Sequence, residues 1–290
     1  MAKILGIDTS KWNGFVDWKL AVNNGASFAY IKSSQWDKDP RFSESWVNSR
    51  GVLPRGAYHF LEWGWSEVKQ AELMVKILGN DIGELPPALD LELDPAPYGL
   101  LATQVSTKAR AFCDTVERLT GRIPTIYVGH YFWEQWGSEA ERWARYPLWL
   151  PWYAPMLYIQ LRTGGTGAPK PWTNWTIWQF TSSGKGLSYG TQMERMDENQ
   201  FYGTEADFKF FANGATIPTP VPPIEDLYAA NSSPRVRSSP NLTSLTNVIG
   251  MLTKGNRVVV DIIEGNWAHF IPQAAFPNGG WVWFSYLTKV

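Results

Sequence analysis

Short apolar runs alternate with longer amphipathic runs along residues 1–212. The short runs have the length and the aromatic and β-branched content of strands, and turn residues bound them. The pattern predicts strands at KILGID (3–8), SFAYIKSS (27–34), RGAYHFL (55–61), PALDLEL (87–93), PTIYVG (124–129), LWLPWY (148–153) and WTIWQFT (175–181). Strand–helix alternation over this length predicts an α/β fold, either a barrel or a doubly wound sheet.

Two amphipathic helices are predicted between these strands. Residues 104–119 form the clearer one, and Gly121 suits the left-handed residue that follows a helix. Its apolar face comprises Val105, Ala109, Phe112, Val116 and Leu119. A second helix is expected to begin after Ser66, a suitable N-cap. Its apolar positions are Val68, Ala71, Val75 and Leu78.

The pattern changes after residue 212. The stretch GATIPTPVPPI (214–224) contains four prolines and no charge, which predicts a semi-rigid linker over residues 213–225. Residues 226–290 hold short apolar runs separated by turn residues, which predicts a small all-β barrel. The chain is therefore expected to consist of an α/β domain at 1–212, a linker, and a small β domain at 226–290.

Composition narrows the classes of partner. The net charge is −1, so electrostatics gives no reason to expect nucleic acid or an anionic membrane as a partner. No run approaches the roughly 18 apolar residues of a membrane span, and MAKILGID runs into a strand without a signal-peptide pattern. The lone Cys113 is expected to be a small buried side chain. The 17 tryptophans suit a large core and also the stacking of carbohydrate on indole rings.

Carboxylates supply the candidate chemistry. In PPALDLELD the acids alternate with leucines, so a strand would place Asp90, Glu92 and Asp94 on one face. Asp8 and Asp197 lie near other predicted strand ends, which converge at one end of an α/β barrel. Crowded carboxylates raise the pKa of one of them, as a general acid at neutral pH requires. Such a cluster with abundant aromatics is typical of glycoside hydrolysis.

Other chemistries find little support. The sequence has no H-E-x-x-H, C-x-x-C, P-loop, G-x-G-x-x-G or G-x-S-x-G motif, so no metal and no cofactor is predicted. Acids two residues apart on a strand are separated by about 6.5–7 Å at Cα. That spacing favours an inverting glycosidase, but the side-chain rotamers could bring the two carboxyl groups closer together. The stereochemical outcome therefore stays open.

The string GIDTSKWNG (6–14) resembles the opening of glycoside hydrolase family 25, the lysozymes that cut the peptidoglycan glycan. The likeness recurs in order through YIKSS, RGAYHF, PALDLELD, PTIYVG, LWLPWY, WQFTSSGKG and MDENQF. The resemblance covers residues 1 to about 212. It implies an irregular (β/α) TIM-like barrel that cleaves the β-1,4 bond between N-acetylmuramic acid and N-acetylglucosamine.

The resemblance also implies roles for individual residues. Glu92 matches the general acid and Asp90 its partner, and Asp8 and Asp197 match the other acids of the cleft. The family is usually argued to use the substrate's acetamido group as nucleophile, which Asp90 or Asp197 would orient. The positions that match the lining of the sugar groove are Tyr58, Tyr127, Trp149 and Gln179. Lys32 matches a polar strand position to which no role is assigned.

Two stretches depart from the family pattern. Ser-Ser-Gln-Trp (33–36) stands where Thr-Glu-Gly is common, and Pro151-Trp152 stands where small or polar residues are usual. The contacts on the side of residues 33–36 therefore do not follow from the family. Asp94 is an additional acid that is expected to cap the following loop.

The C-terminal region resembles a bacterial SH3-like domain, a module that binds cell-wall peptide or crossbridge. Its candidate binding aromatics are Trp267, Trp281, Trp283 and Tyr286. Enzyme and anchor together suggest a monomeric, phage-type endolysin that acts on the bacterial wall after release from the host cytoplasm. A secreted autolysin whose leader has been removed is the alternative within this class. A non-catalytic cell-wall lectin and a chitinase-like hydrolase are the alternatives outside it.

Overall fold

A computed structural model describes residues 3–138, 140–156, 159, 166–213, 226–239, 247–264, 266–270, 275–276 and 280–289. The chain divides into two compact units, Met1–Thr219 and Pro220–Val290. The predicted linker lies, from residue 214 onward, outside the described residues. The linker and the boundaries predicted around it therefore stay predictions.

The first unit is a closed barrel of eight strands in chain order. Strands β1 to β7 are parallel to their neighbours, whereas β8 runs antiparallel to both β7 and β1. The strands are β1 (Ile4–Thr9), β2 (Ala26–Ser34), β3 (Arg55–Phe60), β4 (Ala88–Asp90), β5 (Thr125–Tyr127), β6 (Leu148–Pro151), β7 (Ile177–Lys185) and β8 (Arg195–Phe201). This is an α/β barrel, and its antiparallel strand makes it irregular.

Helices follow most strands and cover the outside of the barrel. They are α1 (Trp18–Asn23), α2 (Phe42–Ser49), α3 (Glu67–Leu78), α4 (Ala102–Thr120), α5 (His130–Trp136) and α6 (Glu205–Ala212). Both predicted helices are confirmed: the Ser66 hydroxyl accepts from the backbone N–H of Lys69, and Gly121 ends α4 with φ 71°. Leu119 is the exception on α4, since it is 42% exposed. In the described ranges, no helix is long and apolar enough to span a membrane.

Strand β4 is shorter than the sequence predicts. The backbone N–H of Leu91 still donates to the carbonyl of Tyr127, and there the neighbouring strand β5 ends. Without a partner to pair with, the chain leaves the sheet after Asp90. The prediction that Glu92 continues the strand is therefore wrong, and Glu92 lies on the following loop.

Strand β8 was not among the predicted strands. RMDENQF carries few apolar residues, and the ladders on both of its edges hold it in place. Its polar side chains at Asp197 and Asn199 face the barrel interior, where Asn199 is buried. RMDENQF has polar residues on both faces, so it lacks the alternation of apolar and polar residues that predicts a strand. The residues that pair with its inward-facing side chains come from distant segments, which a local pattern does not show.

Aromatic rings fill the interior of the barrel. A side chain at Gly6 would lie 2.4 Å from the Phe28 ring, and one at Gly56 would lie 2.5 Å from the Tyr30 ring. Glycine at these two positions therefore makes room for the rings. Tyr30 packs on Trp149 with ring centroids 4.7 Å apart. The resulting apolar floor lies below a ring of polar side chains at the carboxyl ends of the parallel strands.

The second unit is a seven-stranded antiparallel sheet in the order β11-β10-β14-β13-β12-β9-β15. Its strands are β9 (Asp226–Ala230), β10 (Arg235–Arg237), β11 (Val248–Met251), β12 (Arg257–Glu264), β13 (Trp267–Phe270), β14 (Gly280–Trp283) and β15 (Leu287–Lys289). Alternate residues such as Ala268, Phe270 and Val282 enter its core. The all-β character of this unit is therefore confirmed, whereas its closure into a barrel stays a prediction.

Because α4 packs on the barrel, shortening a side chain on its buried face should lower the free energy of unfolding substantially. Phe112 is fully buried and stacks on His59 with ring centroids 5.1 Å apart. We expect Phe112→Ala to lower the free energy of unfolding by about 3–5 kcal/mol, measured by urea denaturation. Leu119→Ala on the same helix should change it by less than about 0.5 kcal/mol. Equal losses in the two variants would contradict this packing.

Candidate active site

The barrel brings the four predicted acids to one end. Asp8 on β1 lies directly opposite Asp197 on β8 in the strand register. Asp90 ends β4, and Glu92 follows on its loop. The charges are close enough to act on one another, since Asp8 helps to raise the pKa of Asp197, Asp90 and Glu92. Distant segments therefore assemble one carboxylate cluster.

Two amide groups hold the Asp8 carboxylate. Its Oδ2 accepts from Gln179 Nε2 and from Asn199 Nδ2, both at 2.8 Å. The Gln179 Oε1 in turn accepts from the hydroxyls of Tyr127 at 2.8 Å and Tyr153 at 2.7 Å. These contacts fix the orientation of the Gln179 amide, so that its N–H group faces the acid.

Asp8 and Asp197 share a hydrogen bond and a proton. Burial raises the pKa of Asp8 to about 6, although the hydrogen bonds from Asn199 and Gln179 oppose the rise. Burial also raises the pKa of Asp197 to about 8, and the charge of Asp8 and the hydrogen bond to Asp8 add to it. The two carboxyl groups therefore titrate as a pair, and burial disfavours the state in which both are ionised.

Asp90 and Glu92 form the second acidic pair, with Lys32 beside them. Burial, followed by the charge of Glu92, raises the pKa of Asp90 well above its usual value, and Lys32 opposes the rise. Burial also raises the pKa of Glu92, which Lys32 again opposes. Asp90 is buried, whereas Glu92 is open to solvent. The carboxyl group of Glu92 is therefore the more accessible of the two.

One oxygen of Asp90 lacks an internal partner. Its Oδ1 is buried and accepts no hydrogen bond from the part of the chain that the structure describes. A buried acceptor without a donor is costly, and functional sites are where such groups persist. Asp90 thus offers an acceptor to a group that is brought in from outside.

The predicted sugar-lining residues lie beneath the acids. They are Tyr58, Tyr127, Trp149 and Gln179, and each is at most 9% exposed. Trp149 donates from Nε1 to Asn199 Oδ1 at 2.7 Å, which orients the Asn199 amide toward Asp8. The visible role of Trp149, Tyr127 and Gln179 is to hold Asp8 in place. Their direct contact with sugar stays a prediction.

Three residues at the site were not assigned by sequence reasoning. Lys32 lies near both members of the second acidic pair, and burial lowers its pKa while Asp90 opposes the change. Asn199 could have been found, because it stands two residues after Asp197 and period two puts both on one strand face. Tyr153 gave no local signal, since its partner Gln179 lies 26 residues away.

Asp94 and His59 serve the framework. Asp94 Oδ1 accepts from the backbone N–H of Ala96 at 3.0 Å, so it caps the loop as expected. The His59 ring uses both nitrogens, at 2.8 Å from Ser34 Oγ and 2.9 Å from Gln70 Oε1. Burial lowers the pKa of His59 to about 4, so the ring is neutral at neutral pH. Over the described residues, no cluster of His, Cys, Asp and Glu suits a metal ion.

The second unit carries a groove of about 380 Å³ on its own surface. It is lined by Ser232, Ser233, Pro234, Arg235, Arg237, Met251, Trp267, Trp283 and Tyr286. Trp267 and Trp283 meet edge to face with ring centroids 5.1 Å apart. Trp281 packs on His269 instead and is absent from the described lining. Three of the four predicted aromatics therefore share one groove, and none of its described lining residues is acidic.

Known proteins resemble the chain over the barrel. Residues 7–188 match the sequence profile of the Glycosyl hydrolases family 25. Lysozyme M1 of Streptomyces globisporus is 32% identical over 225 residues, which cover 72% of this chain and 71% of that protein. An N,O-diacetylmuramidase of Arthroderma benhamiae is 30% identical over 185 residues, which cover 61% of this chain and 76% of that protein.

A solved structure agrees with the sequence matches. The bacterial lysozyme from Streptomyces coelicolor superposes with a TM-score of 0.64 and 28% identity. The match covers 74% of this chain and 99% of that one. The shared part is therefore the whole of the Streptomyces coelicolor lysozyme chain.

The shared proton predicts a pH-dependent stability. Asp8 and Asp197 have pKa values above the usual 3.8, so the folded protein keeps protons that the unfolded chain releases. The free energy of unfolding should therefore fall as the pH rises from 3.8 to about 8. Asp197→Asn should flatten this fall, because it removes one titrating group and can still donate to Asp8. Urea denaturation across this range tests it, and identical slopes in both proteins would refute the shared proton.

Proposed function

The chain belongs to glycosyl hydrolase family 25, and on that premise we propose a bacteriolytic enzyme whose barrel cuts peptidoglycan and whose second unit holds it on the wall. The barrel is a glycoside hydrolase of the lysozyme type. Its substrate is the glycan strand of peptidoglycan, and the bond is the β-1,4 link between N-acetylmuramic acid and N-acetylglucosamine. The observation that carries the proposal is the convergence of Asp8, Asp90, Glu92 and Asp197 at one barrel mouth.

Glu92 is the group that can donate a proton to the leaving oxygen. It is open to solvent, so a glycosidic oxygen can reach it, and burial raises the pKa of its carboxyl group, which favours the protonated form that a general acid needs. Once the bond breaks, the same carboxylate can take a proton from the incoming water. One residue thus serves as acid and then as base.

Asp90 is the better placed acid to orient the acetamido group of the substrate. Its buried Oδ1 needs a donor, and an acetamido N–H supplies one. Asp197 is already engaged with Asp8 through the shared hydrogen bond. When Asp90 holds the N–H, the acetamido oxygen can attack the anomeric carbon as Glu92 protonates the departing oxygen. Lys32 balances the negative charge of the pair.

The Asp8 and Asp197 pair completes the cleft. Two amide N–H groups donate to the Asp8 carboxylate and stabilise its ionised form. A fixed negative charge near the reacting centre favours the positive charge that develops on the sugar ring in the transition state. The buried amides and aromatics below keep that charge in place.

The second unit supplies an SH3-like anchor in this proposal. Its groove combines three aromatic rings with Arg235 and Arg237, so it suits a small ligand that has an apolar stem and an anionic end. The carboxylates of wall peptides have that chemistry, since arginine binds carboxylates through paired hydrogen bonds. Anchoring raises the local concentration of substrate without changing the chemical step.

In its biological setting the protein would act as a monomeric endolysin of the phage type. The layout of an enzyme and a wall anchor supports this proposal, and a secreted autolysin is the second candidate. Fractionation of the producing cell before lysis separates the two, because an endolysin would be found in the cytoplasm and an autolysin in the wall. Light scattering of the purified protein tests the monomer.

Glu92→Gln should remove hydrolysis while keeping the fold. We expect turnover of purified peptidoglycan to fall by about 10²–10⁴-fold, because the amide cannot donate or accept the proton. Asp94→Asn is the matched control: the same chemical change two residues away, at an exposed position that only caps a turn. It should retain near-full activity. Activity in Glu92→Gln close to that of Asp94→Asn would refute the assignment.

The bond that is cut can be read from the products. Mass spectrometry of the digest should find N-acetylmuramic acid at the new reducing ends. N-acetylglucosamine at those ends would indicate a chitinase-like specificity instead. The absence of new ends, with binding to the wall retained, would favour the lectin alternative.

The groove of the second unit should govern attachment and not chemistry. We expect Trp283→Ala and Arg235→Ala each to weaken sedimentation of the enzyme with purified walls. Turnover of soluble wall fragments should remain unchanged. Ile249→Ala is the control, since Ile249 is 47% exposed on the same unit and lies outside the described lining. Equal losses of binding and soluble turnover would contradict a separate anchor.

A further inference from the structure

Three aromatic side chains form an exposed cluster on the rim of the barrel. Trp36 follows β2, Trp65 follows β3 and Tyr98 follows β4. These strands are parallel, so their following loops lie at the same end of the barrel as Asp90. Trp36 is 56% exposed and Tyr98 is 43% exposed. We call Trp36, Trp65 and Tyr98 the rim platform.

The platform is contiguous. Trp36 and Trp65 stack with an interplanar angle of 20° and ring centroids 6.3 Å apart. Gly64 lies between the loops: a Cβ placed there would be 3.5 Å from the Tyr98 ring and 3.6 Å from the Trp36 ring. The three rings therefore form one apolar surface across three loops.

The loops that carry the platform are tied together. Trp63 is buried and donates from Nε1 to the carbonyl of Leu93 at 2.7 Å, which joins the loop after β3 to the loop after β4. The loop after β2 closes on itself through a bond from the backbone N–H of Asp39 to the carbonyl of Ser33 at 2.8 Å. The platform is thus held in place before any ligand binds.

A chain of polar groups connects the platform to the acids. Lys32 Nζ donates to Gln35 Oε1 at 2.9 Å, and Gln35 Nε2 donates to Glu62 Oε1. Gln35 directly precedes Trp36 in the chain, and Glu62 is buried. Polar acceptors beside a flat aromatic surface are what a sugar ring needs, because its hydroxyl groups lie around the edge and its CH groups on the faces.

We propose that the rim platform binds a sugar ring of the glycan strand beyond the two rings that flank the cleaved bond. This inference rests on the proposed function and names a further part of the same substrate. Trp36 belongs to the stretch Ser-Ser-Gln-Trp (33–36), which departs from the sequence common in the family. An exposed tryptophan stacked on a half-buried one, with an exposed tyrosine beside them, forms an apolar surface of the kind that marks a binding site.

The continuity with the catalytic groove selects a glycan as the occupant. A long strand that enters the cleft must leave over its rim, and the loops after β2 to β4 are one exit. Binding energy from a remote ring can then hold the bond over Glu92. Short fragments that do not reach the platform would lose this contribution.

The test compares substrates of two lengths. The double variant Trp36→Ala/Trp65→Ala should lower kcat/KM on long, peptide-free glycan strands by about tenfold, through KM, which corresponds to about 1.4 kcal/mol of lost binding. Turnover of a tetrasaccharide fragment should stay within about twofold of the unsubstituted protein. Trp36→Phe, in the single variant, should retain most of the activity on long strands because it keeps a ring.

Tyr202→Ala is the matched control. Tyr202 is 52% exposed and follows β8, which runs antiparallel, so it lies at the opposite end of the barrel. It should behave like the unsubstituted protein on both substrates, and thermal unfolding should confirm that every variant is folded. Equal losses on long strands and the tetrasaccharide, or no loss on either, would overturn the platform proposal.

A binding measurement separates this proposal from the proposed function. Calorimetry with the same long strands, carried out in the Glu92→Gln variant, measures the affinity for the strand in the absence of turnover. Weaker binding after Trp36→Ala supports the platform, and unchanged binding overturns it. Failure of the unsubstituted enzyme to hydrolyse any wall glycan would instead overturn the hydrolase proposal and leave the binding result standing.

Discussion

Four carboxyl groups in one partly dehydrated barrel mouth cannot all be ionised, and the rest of the site follows from that constraint. Burial raises the pKa of each of them. Among the described residues, Lys32 is the one cationic side chain that lowers the pKa of these acids, and it acts on Asp90 and Glu92. The protein shares protons between the acids, and fixed amides determine which acid keeps the charge. Glu92 is the exposed acid of the cluster, and its carboxyl group is the one open to a substrate.

The arrangement of the barrel strands determines the pKa values of these acids. The antiparallel strand β8 places Asp197 opposite Asp8, which creates a hydrogen-bonded pair from residues 189 positions apart in the chain. The aromatic floor around Trp149 removes water from below the acids. Gln179 and Asn199 then stabilise one charge, and the raised pKa values of the other acids follow from the same burial. A water-filled barrel would lose this distinction between the acids.

Recognition of the substrate is spread over surfaces with different chemistry. The cleft contributes charged and amide groups that act on one bond. The rim around Trp36 and the groove around Trp283 contribute aromatic faces, which we propose as the surfaces for carbohydrate and for wall peptide. In the proposed function, attachment on a separate surface would hold the enzyme on its insoluble substrate without changing the chemistry of the cleft.

The sequence by itself determined the α/β barrel, most of its strands, the two clear helices and the acids, because these depend on local periodicity and on short motifs. Tertiary structure decided the end of β4 at Asp90, the strand nature of RMDENQF, and the roles of Lys32, Asn199 and Tyr153 at the site. The platform of Trp36, Trp65 and Tyr98 also arises only in the fold. Each of these features depends on partners from distant segments, and a local pattern contains no information about which segments the closed barrel brings together.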